Sequence, residues 1–156
     1  MTKQLFWIFL LSASPLSELR GSIPLGIIGF GMDPFVVFCL AVLGNFIIVP
    51  FALFFLHHIS GYLMRKFYFF NRLMNHIFTR TRDHHAHKFE KWENWALLIL
   101  VAIPFPLTGA WTGALMAFLF GIPYKKALLY IFGGIVCAGL IVTAVTLLGI
   151  NLFTFF

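Results

Sequence analysis

Two ionisable residues, Glu18 and Arg20, sit inside a stretch otherwise fit for lipid: Ser14 to Gly31, SPLSELRGSIPLGIIGFG. Charges at membrane depth are costly, and they ordinarily face a partner or a cavity. A carboxylate there can take up and release a proton. A guanidinium can grip an anionic headgroup through its fork of N–H donors. The alternative is an internal ion pair that only fixes the local backbone. Residues at i and i+2 do not face each other on an α-helix, so pairing requires the helix to break. Two prolines and four glycines interrupt the stretch, and Arg20-Gly21, between Pro15 and Pro24, is the expected break. The pair also bears on the sign of a substrate. An unopposed carboxylate suits a cation, whereas a neighbouring guanidinium repels cations and compensates the carboxylate. An anion is easier to accommodate.

A second broken stretch follows the same plan. Trp95 to Ile103 is a short apolar run, Pro104-Phe105-Pro106 breaks it, and Thr108 to Gly121 is another short run. Half-helices starting near Ser22 and Thr108 would aim free N–H groups and positive dipole ends at the midplane, a second device for holding an anion. The candidate binding and coupling residues are therefore Glu18, Arg20, Ser22, Asn45, Thr108, Trp111 and Thr112, and the candidate breaks are Pro15, Gly21, Pro24, Pro104, Pro106 and Gly109. Asn45 suits an interhelical hydrogen bond equally well. Thr108 and Thr112 also suit capping or packing, and Asp33 before Pro34 reads as a structural turn residue. His84, His85 and His87 with Glu90 form no closed ligand set, so no metal is expected. No nucleophile with its base, phosphate loop or redox motif is present; the chain reads as a non-enzyme without a cofactor.

The elements that must position these residues follow from composition. Of 156 residues, 61% are hydrophobic and 10% charged, with 21 phenylalanines. A soluble domain of this length could not bury so much apolar surface, so the chain reads as an all-α integral membrane protein in one domain, 1–156. Cys39 and Cys137 lie in apolar spans as small hydrophobes. Lys3, the apolar Leu5 to Leu11 and the small residues Ser12 to Ser14 fit a signal peptide in part, but apolar character resumes beyond them, so cleavage is not expected.

A straight crossing needs ~20 apolar residues. Leu5 to Ser17 and Ile23 to Met32 are each too short, while Pro34 to Leu56 and Ala127 to Ile150 are long enough. An offset of 90 places Gly31 on Gly121 and Gly44 on Gly134. The expected architecture is two inverted repeats, each a re-entrant helical hairpin plus one transmembrane helix, as in many transporters. Repeat one covers 5–56 and repeat two 94–150. Residues 57–93 join them as a basic cytoplasmic amphipathic linker, with Leu63, Phe67, Phe70, Met74 and Ile77 on one face. A helix packed on its own protein fits that face equally well.

Charge separates this plan from four full crossings. The chain carries 11 Lys and Arg against 5 Asp and Glu, a net +6. Two hairpins and two spans put Lys125 and Lys126 on the cytoplasmic side with the linker, and leave both termini outside. Arg65, Lys66, Arg72, Arg80 and Arg82 would meet anionic lipid. No folded soluble module is visible, so nucleic acid is not an expected partner. The stripe Gly109, Gly113, Ala117, Gly121 allows close helix approach, and a homodimer through small-residue faces is expected.

At SPLSELRGSIPLGI, LGN, IPFPLTGAWTGA and FGIPYKKAL the chain resembles the small multidrug export protein family, itself similar in outline to the DedA or VTT membrane proteins. The motifs occur in order over about 15 to 150, though the chain lacks the extra helices and the fuller acidic and arginine set of the longer DedA pattern. The resemblance implies two re-entrant hairpins and a bacterial cytoplasmic (inner) membrane location. It also implies transport: DedA relatives are associated with moving undecaprenyl phosphate and with proton coupling, and the family name with drug export. Three functions stay open: a flippase-like transporter of an anionic amphiphile such as a polyprenyl phosphate carrier, with protons as a coupling ion; a proton-coupled small-multidrug exporter; and a non-transporting membrane assembly factor.

Overall fold

The computed structural model describes residues 2–15, 17–66, 86–104 and 109–155, all helix and connecting turns with no strand among them. The helices are α1 (Thr2–Ala13), α2 (Glu18–Pro24), α3 (Pro34–Lys66), α4 (Ala86–Ala102), α5 (Ala110–Leu119) and α6 (Tyr124–Phe155). Two stretches, Pro34–Leu56 in α3 and Tyr124–Asn151 in α6, are long and apolar enough to cross a membrane. The 12 residues of α1 and the 10 of α5 reach roughly 15–18 Å at ~1.5 Å per residue, short of the ~30 Å hydrocarbon layer.

The long helices start after matching turns. Gly31 and Gly121 hold left-handed φ values of 60° and 68°, which glycine adopts without steric cost. Pro34 opens α3, and Pro123 directly precedes α6. Asp33 Oδ1 accepts the N–H groups of Phe35 (2.9 Å) and Val36 (3.2 Å), so it caps the start of α3.

Hydropathy boundaries and helix boundaries differ. α3 continues past Leu56 to Lys66 and runs through Pro50, while α4 begins at Ala86, well before Trp95. Histidines, lysines and serine end an apolar run without ending a helix. Residues 67–85, with most of the expected linker stripe, lie outside the described residues, as do the side chains of Leu63, Arg65, Lys66, His87 and Glu90.

The first break is also placed differently. α1 stops at Ala13 and α2 starts at Glu18, so the interruption is Ser14–Ser17. Gly21 and Pro24 lie inside α2, and the half-helix expected to begin near Ser22 begins at Glu18. Serine chemistry accounts for the shift: Ser17 Oγ donates to the Leu11 carbonyl at 2.6 Å and the Ser14 N–H to the same oxygen at 3.2 Å, closing off the end of α1. Gly21 supplies room, since a Cβ there would lie 2.7 Å from Ser17 Cβ. After Pro24 the backbone widens into a π turn, Leu25–Gly29, closed by Phe30 N–H to Leu25 O at 3.0 Å.

The helices interlock across the two halves. α1 packs on α3 as α4 packs on α6; α2 then crosses to α6, α5 crosses to α3, and α3 meets α6. Gly44 and Gly134 make these contacts close. A Cβ at Gly44 would strike Ser12 Oγ of α1, and one at Gly134 would lie 2.6 Å from Val101 Cβ of α4. The core, including Ile8, Leu19, Ile23, Val37, Ile131 and Ile135, lies between these helices. Phe46 and Phe132 meet edge-to-face at 4.8 Å across α3 and α6. The outer surface is apolar too: Phe35, Phe51, Phe55, Leu129 and Val145 are exposed, a surface suited to lipid rather than water. Cys137 lies on that exterior and Cys39 is half-buried, both as free thiols, so neither is a fully buried hydrophobe.

Candidate functional site

The site begins with the backbone of Glu18. As the first residue of α2 it has φ 44°, a left-handed conformation that costs a non-glycine residue about 1 kcal/mol or more. That turn sends its side chain across to the start of α5. There the carboxylate accepts the backbone N–H groups of Ala110 and Trp111, two of the donors that a helix start leaves without partners. A Cβ at residue 109 would fall on the carboxylate itself, so Gly109 supplies the space. Its φ of 172° is extended and open to any residue. The requirement is steric.

The neighbouring bonds hold this junction in place. Thr112 Oγ1 accepts the Gly109 N–H at 2.8 Å and donates to the Gly109 carbonyl at 3.2 Å. Trp111 Nε1 donates to the Ala13 carbonyl at 3.4 Å, across 98 residues of sequence. Ser22 Oγ donates to the Glu18 carbonyl at 2.7 Å. Arg20 lies close enough for its charge to act on Glu18.

Glu18, Arg20, Asn45, Pro104 and Gly109 line one cavity, closed on its other sides by apolar residues such as Val101 and Ile135. Its volume is about 10 Å³, room for a single water. Asn45 is 1% exposed, and its Oδ1 has no hydrogen-bond partner among the described residues. The local charge balance is plain. A carboxylate offsets the guanidinium, and the helix end adds about half a positive charge.

Of the candidates read from sequence, the structure thus gathers Glu18, Arg20 and Asn45 with the breaks at Pro104 and Gly109. Ser22, the Trp111 indole and the Thr112 hydroxyl are among the groups that brace the surrounding backbone, and Pro15 lies in the turn Ser14–Ser17. Thr108 and Pro106 lie outside the described residues. The N–H groups expected to be free at the second half-helix are taken by Glu18. Val101 and Ile135, apolar residues in apolar helices, gave no sequence signal. Gly113, Ala114 and Ala117 are buried inside the chain, with a Cβ at Gly113 coming within 2.5 Å of Val101; a dimer would have to meet through other faces. Among the described residues no group of His, Cys, Asp and Glu could hold a metal; the tract from His84 to Glu90 is outside that description.

Residues 18–141 match the sequence profile of a family described as a small multi-drug export protein, a description that assigns the export role only provisionally. No curated protein and no solved structure matches the chain. The matched span begins at Glu18 and runs through α5 and into α6, so it takes in every described residue that lines the cavity except Val142. With two helices fit to cross a membrane and most of its length inside the profile, the chain is a membrane protein of the small multi-drug export protein family.

Proposed function

We propose that the protein is a flippase-like transporter of an anionic amphiphile, such as a polyprenyl phosphate lipid carrier, with protons as the coupling ion. The observation that carries this reading is the Glu18 carboxylate seated on the N–H groups of Ala110 and Trp111, with Arg20 beside it. A helix start plus a guanidinium is a set of donors suited to phosphate. A cation drawn by the Glu18 carboxylate would also meet Arg20 and the positive end of α5, both repulsive. The cavity takes about one water, so in this reading a headgroup enters only as the surrounding helices part.

In the same reading the two halves are inverted repeats, each a re-entrant hairpin with one span. The equivalent glycine turns at Gly31 and Gly121, the equivalent close contacts at Gly44 and Gly134, and the crossing of α2 and α5 onto the opposite long helix support it. Parting of such repeats about a shared midplane site is the alternating-access motion of inverted-repeat transporters. The protein is placed in the bacterial cytoplasmic membrane, with 57–93 and Lys125-Lys126 cytoplasmic, both termini external, and the linker's basic residues on anionic lipid at about 1 kcal/mol each. It works without a cofactor, as a homodimer.

Transport of a polyprenyl phosphate in proteoliposomes tests this. Arg20→Ala and, separately, Glu18→Gln abolish it while insertion and folding persist; normal transport by both removes the site assignment. The family description favours a second reading, proton-coupled export of small drugs. Drug resistance in cells that is lost on Glu18→Gln but kept on Arg20→Ala would select it.

A further inference from the structure

We propose that Asn45 is the acceptor for the proton taken up by Glu18, so that proton uptake and anion binding exchange hydrogen-bond partners at the start of α5. This rests on the anion-transport reading above and assigns the group through which the proton acts.

Asn45 Oδ1 is a buried acceptor with no donor among the described residues. Leaving such an atom unpaired is costly, so a donor reaching it in another state of the protein is stabilised there. The ionised Glu18 lining the same cavity has no proton to give. Once protonated it carries one O–H donor, and Asn45 Oδ1 is a waiting acceptor, reached directly or through the one water the cavity has room for. Arg20 is the charged group facing Glu18 from its own helix. Among the described residues, α3 contributes Asn45 to the cavity wall, while α4, α5 and α6 contribute no titratable group.

The exchange balances simply. A proton from water forms an O–H bond on the Glu18 carboxylate. The carboxyl turns from the Ala110 and Trp111 N–H groups to Asn45. Two backbone donors at the start of α5 are then left for an anion. The cavity lacks space for a phosphate beside the carboxylate, so one replaces the other. Deprotonation returns the proton to water, and the carboxylate expels the anion from the helix end. Asn45 is a positioning residue, acting through Glu18.

The test is binding of farnesyl phosphate to the purified full-length protein in nanodiscs, from pH 5 to 8, for wild type, Glu18→Gln and Asn45→Leu. The titration of the phosphate is common to all three and cancels in ratios. Above the Glu18 midpoint, wild-type Kd should rise relative to Glu18→Gln by tenfold per pH unit. Asn45→Leu withdraws a bond made only to the neutral acid, so its midpoint should fall by about one pH unit, equivalent to about 1.4 kcal/mol. Parallel profiles for wild type and Glu18→Gln, with measurable binding, overturn the exchange and leave the anion site standing. No binding by folded wild type at any pH removes the anion site, and the exchange with it. An unchanged midpoint in Asn45→Leu overturns the role of Asn45. Should that variant not fold, infrared difference spectra of wild type between pH 5 and 8 decide: a carboxyl band absent from Glu18→Gln should appear together with a shifted asparagine carbonyl. The carboxyl band without that shift overturns the assignment.

Discussion

The carboxylate of Glu18 occupies the place where a side chain at Gly109 would begin. Two residues in different halves of the chain are thereby matched, one by what it carries and the other by what it lacks. The pairing joins α2 to α5 at the point where each of their short helices starts.

Gly109→Ala should therefore act through space alone, because the backbone at 109 is extended. The added methyl evicts the carboxylate from Ala110 and Trp111. Two N–H groups lose a charged acceptor, a loss of about 1–3 kcal/mol. Thermal unfolding in detergent should show a clear drop in Tm, and transport should fall with it. A Tm unchanged from wild type would contradict the contact.

Gly44→Ala and Gly134→Ala test the matching of the halves. One forces Ser12 and Phe9 of α1 away from α3; the other forces Val101 and Leu98 of α4 away from α6. Overpacking of this kind costs about 1–3 kcal/mol each. The two sites share no partner, so the double variant should lose close to the sum. Chemical unfolding of the single and double variants measures this; loss from only one of them would break the equivalence.

Asp33→Ala should separate structure from transport. It removes the acceptor for Phe35 and Val36 at the start of α3, a cap worth about 1 kcal/mol. Stability should fall by that amount while transport per folded molecule stays at the wild-type level. A transport defect beyond the loss of folded protein would show that Asp33 serves the site.

Side-specific thiol labelling examines the topology. With Cys39 and Cys137 replaced by serine, Lys125→Cys should react from the cytoplasmic side and Lys3→Cys from the external side. Labelling of both from one face would require an additional crossing and would exclude the arrangement of two hairpins and two spans.

Hydropathy and spacing alone made much of the chain legible. An apolar excess this large has no soluble solution, so the membrane class and the long helices around Pro34–Leu56 and Ala127–Ile150 follow from local composition. So do the structural role of Asp33 before Pro34, the glycines Gly31 and Gly121 ahead of the long helices, and the oddity of Glu18 and Arg20 in such surroundings. Tertiary structure decided what those residues meet. The break moved from Arg20-Gly21 to Ser14–Ser17 because the Ser17 hydroxyl and the Ser14 N–H close α1 before Gly21 is reached. The donors at the start of α5 were claimed by a carboxylate from the far end of the chain, and Asn45 lines the same cavity with its Oδ1 unpaired among the described residues. Periodicity describes which way a residue points from its own helix. It carries no information on which other helix arrives there, since that depends on packing between segments some 90 residues apart.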